Sequence, residues 1–152
     1  MADALKNVHI SVLKYVDTNL GTYAIDWPGA RFDSTAQDEW IEPRLIGPTN
    51  RATRKSRRDE DWIVNVNVYV RETKLESDIY RAEEIADDVR DALHQAEIEI
   101  QDWQSMGDPT VEFMRLSEVD VTPVPRTGAR TPETGELKQL NVSATGTLIV
   151  GA

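Results

Sequence analysis

The hydrophobic pattern changes its period near the middle of the chain. From Asp61 to Arg71, β-branched and aromatic residues alternate with polar residues, which is typical of a strand with one buried face. The residues of the predicted buried face are Trp62, Val64, Val66, Val68 and Val70. From Leu75 to Ala96, apolar residues recur every three or four positions, which predicts an amphipathic helix. Because only a short joint separates the two segments, the helix is expected to fold back onto the sheet.

The part of the chain before this segment predicts one helix and two short strands. The helical spacing of apolar residues runs from Ala2 to Leu20. Thr22 to Trp27 and Glu39 to Ile46 are the predicted strands. Pro43 interrupts the second of them and has no amide donor, so this strand is expected at a sheet edge or with a bulge.

The part after the helix predicts further strands. Glu97 to Trp103 alternates and is either the end of the helix or a short strand, while Val111 to Val121 is a strand with a bulge or break in its middle. Leu137 to Val150 alternates cleanly, with Gly146 as a candidate bulge. This order predicts a single domain, residues 1–152, of the α+β class, with a mostly antiparallel sheet, two helices packed on one face and long loops.

Two segments without apolar periodicity are the predicted long loops, Thr49 to Glu60 and Thr122 to Glu136. The first is expected to be a hairpin loop, with or without extended strands at its base. The net charge is −10, yet the first loop concentrates basic residues. These residues are Arg51, Arg54, Lys55, Arg57 and Arg58. The loop is either a solvated hairpin or a contact arm for an acidic surface. That surface could belong to a second copy, such as the helix with Asp87 and Asp88, to another acidic partner, or to DNA.

The sequence contains no recognisable catalytic, cofactor or metal motif. It has no cysteine and no glycine-rich phosphate loop. His9 and His94 lie at or beside apolar helix stripes and lack metal-ligand spacing, and the acidic residues of the second helix do not follow the order of a calcium loop. We therefore expect no enzyme activity, no cofactor and no metal. No stretch approaches the roughly 20 apolar residues that span a bilayer, so no membrane partner is expected.

The layout of these segments resembles the tail terminator, or tail completion, proteins of long-tailed bacteriophages. The resemblance lies in the N-terminal helix, the strand from Trp40 to Ile46, the charged hairpin, the strand that begins at Trp62, and the helix from Ala82 to Leu93. A final strand that ends Gly-Thr-Leu-Ile-Val closes the pattern. The resemblance covers nearly the whole chain.

This resemblance implies a virion structural protein of the tail and neck, assembled in the host cytoplasm. Such a protein forms a homo-oligomeric ring, expected to be a hexamer, that caps the tail tube and joins it to a head–tail connector or stopper protein. DNA passes through the ring without specific binding. The expected interface residues are Arg51, Arg54, Lys55, Arg57, Arg58, Asp87, Asp88, Arg126 and Arg130. The alternatives are a head–tail connector or stopper ring, and a cytosolic adaptor domain that binds an acidic partner.

Overall fold

The computed structural model describes residues 4–54, 57–72, 80–124 and 136–151. Within these ranges the chain forms two α-helices and five strands, with a short 3-10 turn at Ser34–Ala36. The elements are α1 (Ala4–Leu20), β1 (Glu39–Arg54), β2 (Arg57–Glu72), α2 (Arg81–Leu93), β3 (Glu97–Gln101), β4 (Thr110–Pro123) and β5 (Glu136–Gly151).

The strands form one antiparallel sheet in the order β1-β2-β5-β4-β3. All five residues that the sequence placed on the buried face of β2 are buried, together with the inward residues of β5 and the stripes of both helices. The predicted α+β class and mostly antiparallel sheet are therefore confirmed. We call the side of the sheet that packs against the helices the covered face, and the opposite side the open face.

The centre of the sheet is the pairing of β2 with β5. Val66 lies opposite Val142 and Val64 lies opposite Ala144, all on the covered face. β-branched side chains pack well across a pleated pair of this kind. The alternation predicted between Leu137 and Val150 is thus confirmed as part of β5.

The hairpin predicted from Thr49 to Glu60 is confirmed in its alternative with extended strands, and the long unpaired loop is wrong. β1 continues to Arg54 and β2 begins at Arg57, so most of this segment is a paired hairpin, and residues 55–56 lie outside the described ranges. Strand pairing needs backbone groups rather than apolar side chains. Here β5 also pairs with β2 as far as Arg57, which supports the extension.

The predicted strand from Thr22 to Trp27 is reduced to one parallel bridge between Ile25 and Ile41. Ile41 donates its N–H to the Ala24 carbonyl and accepts at its own carbonyl from the Asp26 N–H, both at 2.9 Å. Since backbone groups alternate in direction along a strand, Pro43 also turns its nitrogen away from β2 and cannot extend this bridge as a donor. The expected edge position of Pro43 is confirmed.

The other boundaries differ from the prediction in detail. The helix expected from Leu75 to Ala96 is described from Arg81 and ends at Leu93, and residues 73–79 are outside the described ranges. Of the two alternatives for the segment that begins at Glu97, the end of the helix or a short strand, the structure has the strand, β3. Of the second predicted loop, residues 125–135 are likewise outside the description.

The bulge expected in β4 is confirmed between Leu116 and Val119. The candidate bulge at Gly146 is wrong, because the extra residue is in β4 and Gly146 stays paired with Leu116. A Cβ atom at Gly146 would lie 2.6 Å from the Met114 Sδ and 3.0 Å from Leu116 Cδ2. Glycine at this position therefore leaves room for two side chains of the core.

Candidate interaction surfaces

The acidic side of α2 is engaged in contacts within the chain. Asp87 forms an ion pair with Arg90 at 2.9 Å, and Asp88 accepts a hydrogen bond from the Tyr23 hydroxyl. Burial, and then the hydrogen bond to Asp88, raises the pKa of Tyr23 to about 12. These two predicted interface residues are exposed on one helix, and Asp88 helps attach the segment after α1 to it.

The predicted basic residues lie at or near the end of the β1–β2 hairpin. Arg51 and Arg54 belong to β1, while Arg57 and Arg58 belong to β2, and Arg54 lies opposite Arg57 in the register. Their side chains are not among those described. Lys55, Arg126 and Arg130 lie outside the described residues. The structure thus places four of the predicted cations on one paired hairpin, and their contact with α2 of another copy remains a prediction.

A hydrogen-bonded amide network occupies the centre of the open face. Asn67 accepts at its Oδ1 from Asn141 Nδ2 at 2.9 Å and from Gln139 Nε2 at 3.3 Å, and it donates to Glu42 Oε1 at 3.2 Å. The register places these groups on three neighbouring strands. The network is partly exposed, so the centre of the open face presents polar groups to the solvent.

One end of the open face is covered by the segment before β1. Trp40 is 5% exposed, stacks on Tyr69 at a ring distance of 5.0 Å and contacts Phe32 at 5.9 Å. Arg71 holds the same segment by donating its backbone N–H to the Asp38 carbonyl at 2.7 Å and its Nη2 to the Ser34 carbonyl at 3.2 Å. This end is therefore closed by the chain itself.

The other end of the open face exposes apolar side chains. Ile46 and Ile63 lie directly opposite each other on β1 and β2, and they are 51% and 39% exposed. Phe113 of β4, which alternates with the buried Met114, is 47% exposed. The sequence pattern predicted no interface at these residues, although Ile63 among the polar positions of β2 was a signal for one.

A shallow cleft of about 430 Å³ lies between α2 and the start of β1. Arg81 lines it and donates from Nε and Nη2 to the Glu39 carboxylate at 2.7 Å and 2.8 Å. This bidentate contact raises the pKa of Arg81. The charge of Arg81 is therefore already neutralised within the chain.

The described residues hold no group of three or more histidine, cysteine, aspartate or glutamate side chains that could ligate a metal ion. His9 contacts Trp62 edge to face at 5.6 Å, and His94 follows α2, with its N–H donated to the Arg90 carbonyl. None of the described helices is long and apolar enough to cross a membrane.

Comparison with known proteins gives information on the fold alone. No protein-family model matches the chain, and no curated protein matches it significantly. Fourteen chains of solved structures match. One of them matches with a TM-score of 0.60 and 15% sequence identity, over 95% of this chain and 95% of that chain. The name of that protein describes no activity. The match shows that this arrangement of helices and strands also occurs in another protein.

Proposed function

We propose that this chain is a bacteriophage tail terminator, a virion structural protein that forms a homo-oligomeric ring on the end of the tail tube and joins the tube to the neck. The layout of its helices and strands resembles that family. The observation that carries the proposal is the open face of the sheet, which leaves Ile46 and Ile63 half exposed side by side.

Exposed apolar side chains that adjoin one another suit a protein that functions in an assembly. Soluble monomers keep contiguous apolar surface small, and larger patches mark sites of protein contact. In the proposed ring, the apolar end of the open face docks on the tail tube, and a neck protein binds elsewhere on the ring. A half-buried isoleucine pair at the centre of such a contact would exclude water from neighbouring polar groups.

The charge of the chain supports the same assembly. A net charge of −10 repels the phosphates of DNA, so DNA could pass through a ring of these subunits without binding to it. In this proposal the cations of the β1–β2 hairpin bind acidic protein surfaces rather than nucleic acid.

The first experiment is the mass of the purified protein by light scattering, at two protein and two salt concentrations, with and without isolated tail tubes. We expect a ring of about six times the 17.1 kDa chain, either in solution or on the tubes. A ring of twelve subunits would favour a head–tail connector. A strict monomer that ignores tubes and captures an acidic cytosolic protein would favour the adaptor.

A pair of substitutions tests the docking surface directly. Ile63→Lys places a charge at the apolar end of the open face and should weaken attachment to tubes by about tenfold or more, since charge inside an apolar contact is costly. Thr18→Lys adds the same charge on the exposed side of α1 and should leave attachment unchanged. Equal attachment by both variants would exclude the open face as the docking surface.

A further inference from the structure

Part of β4 has an outer edge that no described residue pairs with. β3 pairs with β4 only between Thr110 and Arg115, and Leu116 then donates its N–H to the Ala96 carbonyl at 2.8 Å. From Ser117 to Pro123 the outer side has no partner in the described part of the chain, and nearly all of these residues are exposed. The described residues thus leave this part of the β4 edge uncovered.

The hydrogen-bond direction along this edge follows from one contact. The Val124 N–H donates to the Gln139 carbonyl of β5 at 3.1 Å. Backbone groups alternate along an antiparallel strand, so the amides of Val119 and Val121 point away from β5. Such outward groups are a template on which another strand can add.

The opposite edge of the sheet, β1, is uncovered only in its second half. The first half is bridged at Ile41 by the segment from Ala24 to Asp26, and Pro43 lacks a donor there. From Thr49 to Arg54, β1 pairs with β2 on its inner side, and none of the residues that the structure describes pairs with its outer side. Among the described residues, these two edge segments therefore lie on opposite sides of the sheet, in addition to the outer edge of the terminal strand β3.

We propose that these two segments pair with each other between subunits: the outer edge of β4, Ser117–Pro123, takes the outer edge of β1, Thr49–Arg54, of a second copy. The inference rests on the proposed ring and names its subunit contact. The intervening strands, β2 and β5, make β1 and β4 run in opposite directions. A copy added in the same orientation therefore presents its β1 antiparallel to β4, which continues the sheet.

Charge selects this pairing over a symmetric one. The β4 edge carries Glu118 and Asp120, both exposed, while the β1 segment carries Arg51 and Arg54 in its sequence. Two β4 edges brought together would place carboxylates beside carboxylates, which is destabilising, whereas β4 against β1 joins opposite charges. A contact between two different edges is head-to-tail, and head-to-tail contacts generate closed rings when the rotation closes.

The test uses two charge-reversed forms of the full chain, alone and mixed. Glu118→Lys with Asp120→Lys changes only the β4 edge, and Arg51→Glu with Arg54→Glu changes only the β1 edge. Each form alone should weaken self-association by at least about 100-fold, because like charges then meet at every contact. An equimolar mixture should restore rings, since each edge of one form then meets an oppositely charged edge of the other. Light scattering and native mass spectrometry, in solution or on tubes, measure both results.

The matched control is Asp17→Lys with Thr18→Lys, which adds positive charge on the exposed side of α1, away from both edges. It should leave assembly intact. Hydrogen exchange gives an independent readout, in which the amides of Val119 and Val121 exchange more slowly in the assembly than in the monomer.

The remaining outcomes contradict either the edge pairing alone or both the edge pairing and the proposed function. Wild-type rings that tolerate both edge reversals, a mixture that fails to restore assembly, or unprotected amides at Val119 and Val121 overturn the edge pairing and leave the proposed function standing. Loss of assembly in the β1-edge form beside an intact β4-edge form overturns the pairing in favour of another acidic surface for the hairpin, such as α2. A wild type that stays monomeric in solution and on tubes overturns both proposals.

Discussion

The two faces of β2 meet opposite conditions although their residues alternate along one strand. On the covered face, Val64, Val66 and Val68 are at most 1% exposed. On the open face, Asn67 is held in an amide network and Ile63 is 39% exposed. One strand thus contributes both to the core and to a surface that can contact partners.

This difference separates the sources of stability and of binding. Burial of apolar area stabilises a fold by about 25 cal/mol per Å², and the covered face contains nearly all of it. The hydrogen bonds of the open face can be exchanged for bonds to water at little net cost. We therefore expect the covered face to tolerate few substitutions, and the open face to tolerate many without loss of the fold.

The largest expected effect is that of Val66→Asp. The substitution places an unpaired carboxylate on the covered face opposite Val142, and this should lower the free energy of unfolding by about 4 kcal/mol or more. Asn65→Asp places the same carboxylate on the open face, opposite Arg44. This substitution should change the free energy of unfolding by less than about 1 kcal/mol. Urea unfolding followed by circular dichroism measures both. A stable Val66→Asp protein beside an unfolded Asn65→Asp protein would mean that the faces are reversed.

The covered face could be predicted from the sequence because side-chain alternation is a local property of the chain. The valines of β2 and the stripe of α2 needed no knowledge of their partners. The pairing of Thr49 to Arg54, by contrast, depends on backbone hydrogen bonds to β2 and on the support that β5 gives to β2. No periodicity records such pairing, which is why a polar strand was expected to be a loop.

The candidate surfaces were predictable to a smaller extent. The cations of the hairpin stand out in the sequence, and the structure places Arg51 and Arg54 on a strand edge rather than in a loop. The uncovered edge from Ser117 to Pro123 follows from the early end of β3 and from the strand order. Both are properties of the assembled sheet, so nothing in the sequence of β4 alone indicates them.

A smaller effect is expected at a polar contact on the helix side of the sheet. Ser11 of α1 is 4% exposed, and its hydroxyl accepts from the Gln101 N–H at 3.0 Å and from Trp103 Nε1 at 3.1 Å. Ser11→Ala leaves both donors without this acceptor, so it should destabilise the fold by about 1–3 kcal/mol. Thr18→Ala removes an exposed hydroxyl from the same helix and should cost less than about 0.5 kcal/mol. Equal urea midpoints for both variants would show that water replaces Ser11 without loss.

The smallest effect is expected at the rim of the helix layer, where Tyr23 donates to Asp88. The pKa of this phenol rises from 10.0 to about 12 on folding, so the folded state holds the proton more tightly than the unfolded chain does. The stabilisation is fully present below pH 10.0 and is lost as the pH rises toward about 12. The Tyr23→Phe protein should therefore lose less stability than the wild type between pH 10.0 and about 12. Urea midpoints measured for both proteins over this pH range would show the difference. The other tyrosines contribute equally to both proteins, so parallel curves for wild type and variant would mean that folding leaves the pKa of the Tyr23 phenol unchanged.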